Sequence, residues 1–207
     1  MVSRIKKSRI AAERNTQKRE DFQQALAKVP PEKRVFLDEA GFSLAMYQAY
    51  GWAPKEQRLV EAVPFQRGVN FSVLGAIGIE GMICTHQKSG SMKRVDMESF
   101  LEFDLLPRLP KGMVLILDNA RIHHGGRIEE IVEAAGCSLL YLPAYSPDSG
   151  TLWVPIELAW SWIKRFVRRR RPRDGDSRLE AIHSGVAALP GEFAEKWFKK
   201  CQLQSQA

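Results

Sequence analysis

Three acids, Asp38, Asp118 and Glu157, stand where a folded chain could gather carboxylates around a phosphodiester. Asp38 follows the apolar run Val35-Phe36-Leu37, and Asp118 follows Met113-Val114-Leu115-Ile116-Leu117. Glu157 follows Pro155-Ile156, and proline suits the first turn of a helix. Sites in open α/β sheets form at the carboxyl ends of strands, so acids ending two neighbouring strands converge. Phosphodiester cleavage needs charge stabilised on both the attacking and the leaving oxygen, which two Mg²⁺ ions about 3.5–4 Å apart can do. Mg²⁺ takes hard oxygen ligands, and carboxylates from separate elements supply them. Without metal such acids repel one another, and at least one pKa rises. Taken singly, an Asp after a strand is a turn or cap residue, and a Glu in a first helical turn complements the dipole. The set carries the chemistry.

Positioning these acids requires a sheet. Val35–Leu37 reads as a short strand ending on Asp38-Glu39, and residues 43–69 as a long connection punctuated by Gly51, Pro54, Pro64 and Gly68. Residues 71–78 and 82–86 read as an antiparallel pair around the turn Ile79-Glu80-Gly81. Met97, Phe100, Leu101, Leu105 and Leu106 make one helical face over 96–106, with Asp96 as a candidate N-cap and Pro107 closing it. Residues 113–117 read as a buried parallel strand. A helix over 127–135 with Ile128, Ile131 and Val132 inward, closed by Gly136, leads to a strand at 139–142. A loop over 143–154, a helix from Pro155 to Val167 and two short helices at 178–189 and 192–203 complete the chain. The expectation is an α/β fold, a mixed five-stranded sheet flanked by helices. Residues 1–32 read as a solvated basic helical arm and linker, 33–173 as the catalytic domain, and 174–207 as a C-terminal helical extension.

The 207 residues carry 31 Lys and Arg against 24 Asp and Glu, net +7, which favours polyanionic partners through counterion release. Lys164, Arg165, Arg168, Arg169, Arg170, Arg171 and Arg173 form a run without an acid. Such a block is often a solvated face; beside a phosphodiester site it would track DNA phosphates and position the duplex without reading its sequence. Cys84, Cys137 and Cys201 make no C-x-x-C pair, so neither a disulfide framework nor a zinc site is expected, and Cys84 and Cys137 read as buried thiols. His86, His124 and His183 have no metal-ligand spacing. The N-terminus has no apolar segment of the signal-peptide kind, and no apolar run approaches the ~20 residues of a membrane span. A soluble, intracellular protein without a membrane partner is expected, in the cytoplasm or nucleoid if the source is bacterial.

Four motifs in order carry a resemblance to a known family. They are Val35-Phe36-Leu37-Asp38-Glu39-Ala40-Gly41-Phe42 with Tyr50-Gly51-Trp52-Ala53-Pro54, and Leu115-Ile116-Leu117-Asp118-Asn119-Ala120-Arg121-Ile122-His123. Then come Leu142-Pro143-Ala144-Tyr145-Ser146-Pro147-Asp148 and Pro155-Ile156-Glu157-Leu158-Ala159-Trp160. Over about residues 33–170 the sequence resembles the DDE domain of the IS630/Tc1/mariner transposases. The resemblance implies an RNase H-like fold, with Asp38, Asp118 and Glu157 as the catalytic acids holding two Mg²⁺ or Mn²⁺ ions. It also implies transposon-end and target DNA as partners, and a homodimer on DNA. Asn119 and His123 match polar residues beside the second acid; a turn-stabilising amide and a surface imidazole are their ordinary alternative. Trp52 falls in the family's insert between the first two strands and reads as a core anchor.

Two departures stand out. The family reads Ser-Pro-Asp, two residues, then Pro-Ile-Glu; here six residues, 149–154, fill that gap, with Val154 in place of an Asn. The family's helix-turn-helix modules have no counterpart before Asp38, which suggests a second-half product served by a separate upstream helix-turn-helix protein. Three readings follow: a transposase catalytic domain that cuts transposon ends and joins them to target DNA, a catalytically dead DNA-binding remnant, and an RNase H-like nuclease without strand transfer.

Overall fold

The computed structural model describes residues 16–43, 45–46, 52–60, 68, 70–120, 123–143 and 154–204. Five strands form one sheet: β1 (Arg34–Phe42), β2 (Phe71–Gly78), β3 (Gly81–Ser89), β4 (Val114–Leu117) and β5 (Ser138–Tyr141), in the order β3-β2-β1-β4-β5. The β1–β2 and β2–β3 pairs are antiparallel, and β1–β4 and β4–β5 are parallel. This is the mixed α/β sheet of the RNase H-like class that the sequence predicts.

Alternation along the strands sorts the core into two layers. Phe36, Ala40 and Phe42 of β1, Val73 and Ile77 of β2 and Ile116 of β4 face one layer. There they meet α4 (Pro155–Arg170), α5 (Gly175–Ala187) and α6 (Gly191–Gln204), through Ile156, Ala159, Trp160, Ile163, Ile182 and Phe198. Val35, Leu37, Leu74, Ala76, Leu115 and Leu117 face the other layer. That layer holds α2 (Arg94–Ser99), its continuation through a π turn (Phe100–Leu105) and a 3₁₀ turn (Leu106–Arg108), and α3 (Ile128–Ala134). Fully burying one such side chain contributes roughly 1.5–3 kcal/mol. By the same parity, Asp38 and Asp118 belong to the α4 side.

Several expectations change. Asp38 does not end its strand: β1 runs on to Phe42 because β2 keeps pairing with it through Phe42↔Phe71. The first helix, α1 (Thr16–Ala27), is not a purely solvated arm, since Phe22 is buried in the α4-side core and Leu26 packs against it. Its end is tied to β1, where Arg34 Nε and Nη2 donate to the Val29 carbonyl at 2.8 and 2.6 Å and Nη2 to the Leu26 carbonyl at 3.0 Å. Asp96 is not the N-cap of α2. It lies at the third helical position, where its carboxylate accepts from the Lys93 amide (2.8 Å) and pairs with the Lys88 ammonium. Pro107 sits inside the 3₁₀ turn rather than ending the element, and its ring fixes a backbone angle that turn already uses. Cys137 and Cys201 are buried, whereas Cys84 is only half-buried on β3. Trp52 is fully exposed (101%) and anchors nothing in the core. Among the described residues no helix is long and apolar enough to cross a membrane. The basic residues before Thr16, Arg121-Ile122 and the loop motif with its six-residue spacer, up to Trp153, lie outside the described residues.

Candidate active site

Where β1 pairs with β4, each residue faces the one 80 positions later, from Arg34 opposite Val114 to Phe36 opposite Ile116. Asp38 and Asp118 both lie two residues beyond the last pair of that ladder, Phe36↔Ile116. The ladder stops at Phe36, so the two strands part just before the acids, while β2 holds Asp38 from the other side through its pairing with Gly75. Asp38 is thus a mid-strand residue on a fixed backbone, whereas Asp118 is the first residue beyond β4. Glu157 comes from the helix layer that both acids face, in the first turn of α4, where Pro155 starts the helix and Val154, Pro155 and Ile156 are buried.

Asp38, Glu39 and Glu157 line an open cleft of about 300 Å³ together with Trp160, Ser161, Lys164 and Arg168. Asp118 is not among its lining residues, yet its charge reaches Asp38. Burial, followed by the neighbouring Asp118 and Glu157 carboxylates, pushes Asp38 up to about 7, against a hydrogen bond from the Glu39 amide and the charge of His123. Burial also raises Glu157. Asp118 moves the other way: the hydrogen bond from His123 holds it below the usual carboxylate range, and the Ala120 amide (3.0 Å) helps. Both contacts fall on Oδ1.

His123 is the part of this loop that sequence reasoning left undecided. It is no surface imidazole: it is only 2% exposed, with Nδ1 2.6 Å from Asp118 Oδ1 and 3.1 Å from the Asp118 carbonyl. Burial alone would lower its pKa; the hydrogen bond and charge of Asp118 outweigh that, and it stands above the ordinary imidazole value. Asn119 is exposed, and its Oδ1 meets the Nε2 of His124. Tyr141, which the sequence did not single out, holds both histidines. Its hydroxyl donates to the His123 carbonyl (2.8 Å), and its ring stacks on His124 at 4.3 Å. Only an aromatic residue ending β5, the strand beside Asp118, signals that role from the sequence. Trp160, Ser161 and Glu39 are likewise cleft residues not predicted as such.

The basic run divides. Lys164 and Arg168, one turn apart on α4, line the acidic cleft, and burial lowers the Lys164 pKa. Arg165, Arg169 and Arg170 lie elsewhere on the last turns of α4, and Arg171 and Arg173 follow its end. The cationic side chains at this C-terminus complement the helix dipole.

A family model described as DDE superfamily endonuclease matches residues 33–180. The chain belongs to the DDE superfamily endonucleases. Three solved structures show how far the likeness of this DDE fold extends. The Mos1 transposase paired-end complex with left transposon end has a TM-score of 0.76 at 17% identity over 100% of this chain and 65% of that one. The mariner Mos1 paired end complex with Mg gives 0.73 at 15% identity, with 100% and 65% covered. The catalytic domain of Mos1 mariner transposase gives 0.65 at 15% identity, with 95% and 94% covered. This chain therefore spans about two thirds of the Mos1 chains in the DNA complexes and nearly all of the isolated catalytic domain. The comparison with curated proteins finds no match.

Proposed function

We propose that this DDE-family chain is the catalytic domain of a transposase that cuts DNA at transposon ends and joins the freed end to target DNA. Asp38, Asp118 and Glu157 would be its metal-holding acids. The observation that carries the reading is the elevated Asp38 carboxyl, which feels both other acids although the three come from β1, the end of β4 and α4. Burial first, and then the two neighbouring carboxylates, disfavour the Asp38 anion, and a divalent ion at the cleft would favour it. The donor set fits Mg²⁺ or Mn²⁺: carboxylate oxygens, with no thiolate in the cleft. Among the described residues no three potential ligands already stand around one point, so the acids would close on the metal as it binds.

Two such ions, when bound, would supply a water of lowered pKa and positive charge at the leaving oxygen. The protein's own part is more specific. Asp38 is about half protonated near pH 7, so metal loading would release its proton. His123 would hold Asp118 through Oδ1, and among the described residues no hydrogen bond falls on Oδ2, which would face the metal. Asn119 and His124 would brace the same loop. Lys164 and Arg168 would hold phosphates at the cleft, and Arg165, Arg169, Arg170, Arg171 and Arg173 would track the duplex beyond it. Residues 33–173 would form the catalytic unit, acting as a homodimer on DNA.

The dead DNA-binding remnant is the second reading, favoured by the unassembled acids. Labelled terminal-repeat DNA incubated with Mg²⁺ or Mn²⁺ decides. Nicking with joined product, lost in Asp118→Asn, is expected. Binding without nicking favours the remnant, nicking without joining favours a nuclease, and nicking unchanged in Asp118→Asn removes the site assignment.

A further inference from the structure

Gly75 on β2 is the direct cross-strand partner of Asp38 and shares its side of the sheet. A Cβ built on Gly75 would lie 2.6 Å from Cη2 and 2.7 Å from Cζ2 of Trp160, far closer than carbon atoms pack. The indole therefore occupies the space that a side chain at position 75 would fill. It is 4% exposed, and it meets the Phe42 ring edge-on, with the ring centroids 6.4 Å apart. Its N–H has no hydrogen-bond partner among the described residues, so packing alone fixes the ring. Trp160 stands one turn after Glu157 on α4, and residues three apart share a helix face. Both line the cleft with Asp38.

We infer that Trp160, seated in the slot left by Gly75, is a positioning residue that sets how far Glu157 stands from Asp38. The ring is a large rigid spacer between helix and sheet, and the missing Cβ opposite Asp38 sets how deeply it sinks. Adding that Cβ would lift the ring and carry the first turn of α4 outward. The catalytic consequence rests on the metal-dependent reading above; the seat itself does not.

The test compares wild type, Gly75→Ala and Gly75→Ala/Trp160→Phe. Phenylalanine lacks the distal ring carbons that the new Cβ would strike. Crystal structures should show the start of α4 displaced from β1 in Gly75→Ala and returned in the double variant. Mn²⁺ binding, read by electron paramagnetic resonance of the free ion, should weaken about 10- to 100-fold in Gly75→Ala and recover in the double variant. DNA affinity should stay constant and kcat for nicking should fall, a split that general destabilisation does not produce. An unmoved α4, or unchanged Mn²⁺ affinity in a folded Gly75→Ala protein, would overturn the inference. If Gly75→Ala does not fold, Trp160→Phe alone replaces it: weaker Mn²⁺ binding at constant DNA affinity supports the seat, and equal binding overturns it. If wild type binds no Mn²⁺ and nicks no DNA, the metal reading fails, and the helix position in the crystal structures alone decides the seat.

Discussion

Asp38 lies within β1 and Asp118 just beyond the end of the neighbouring β4, yet the chain treats them oppositely. Asp38 is fixed mid-strand, largely buried, and pushed up to about 7. Asp118 begins a loop, is half exposed, and is held below its ordinary value by His123. The same carboxyl group thus becomes a proton store within the strand and a standing anion in the loop. The difference comes from what surrounds each: burial outweighs the more distant charge of His123 at Asp38, whereas an imidazole lies 2.6 Å from Asp118. A pair tuned apart in this way is a common mark of a working site.

The sharpest way to break the comparison is to neutralise each acid in turn. Asp38→Asn and Asp118→Asn should each cut Mn²⁺-supported nicking by more than about 100-fold, since a ligand should matter more than its supporting partners, worth 10- to 100-fold. If one variant retains wild-type rate, the two acids are not one site. Next is His123→Ala, for which a loss of about 10- to 100-fold is expected. The Asp118 carboxyl should then titrate nearer the ordinary range, read by carbon NMR. An unshifted Asp118 would show that His123 is not what holds it down.

The metal-free protein offers a pH test. Asp38 is raised in the fold, so its contribution is fully present below its unfolded value near 4 and is lost as pH rises to about 7. Asp118 is lowered, so its contribution is present above that unfolded value and is lost as pH falls through its folded one. His123, raised, adds stability below about 6.5 that disappears as pH climbs through its folded value. Melting curves should therefore show Tm falling between pH 4 and 7, and Asp38→Asn should flatten that fall and raise Tm at pH 8. At this size each kcal/mol relieved is worth roughly 2–4 °C. A slope unchanged in Asp38→Asn would mean that the carboxyl is not destabilised by its surroundings. The smallest effect belongs to Tyr141→Phe, which removes one hydrogen bond to the His123 carbonyl. A cost of about 0.5–1.5 kcal/mol in urea unfolding is expected, with a modest fall in nicking.

Much of this was legible in the sequence because apolar runs and the residues that end them are local signals. The buried run before Asp118 is β4, and the helices flanking the sheet lie near their expected positions. What escaped was set by neighbours across the sheet. β1 outlasts its apolar run because β2 continues to pair with it. Phe22 reads as part of a polar arm until the fold supplies the core it enters. Trp52 looks like an anchor by residue type alone, but nothing covers it. Tyr141 and the slot at Gly75 depend on contacts between β5 and the Asp118 loop and between β2 and α4. No spacing along one chain encodes those.

The Arg34 tether has a practical consequence for where the protein can be shortened. The family match begins at residue 33, which invites trimming everything before it. Removing the residues before 33 would strip the guanidinium of the Val29 and Leu26 carbonyls and uncover the surface that Phe22 shields. An unsatisfied buried cation would then sit four residues from Asp38, at the root of its strand. A shortened protein should keep α1, and a version starting at residue 33 should aggregate or melt early for reasons unrelated to its chemistry.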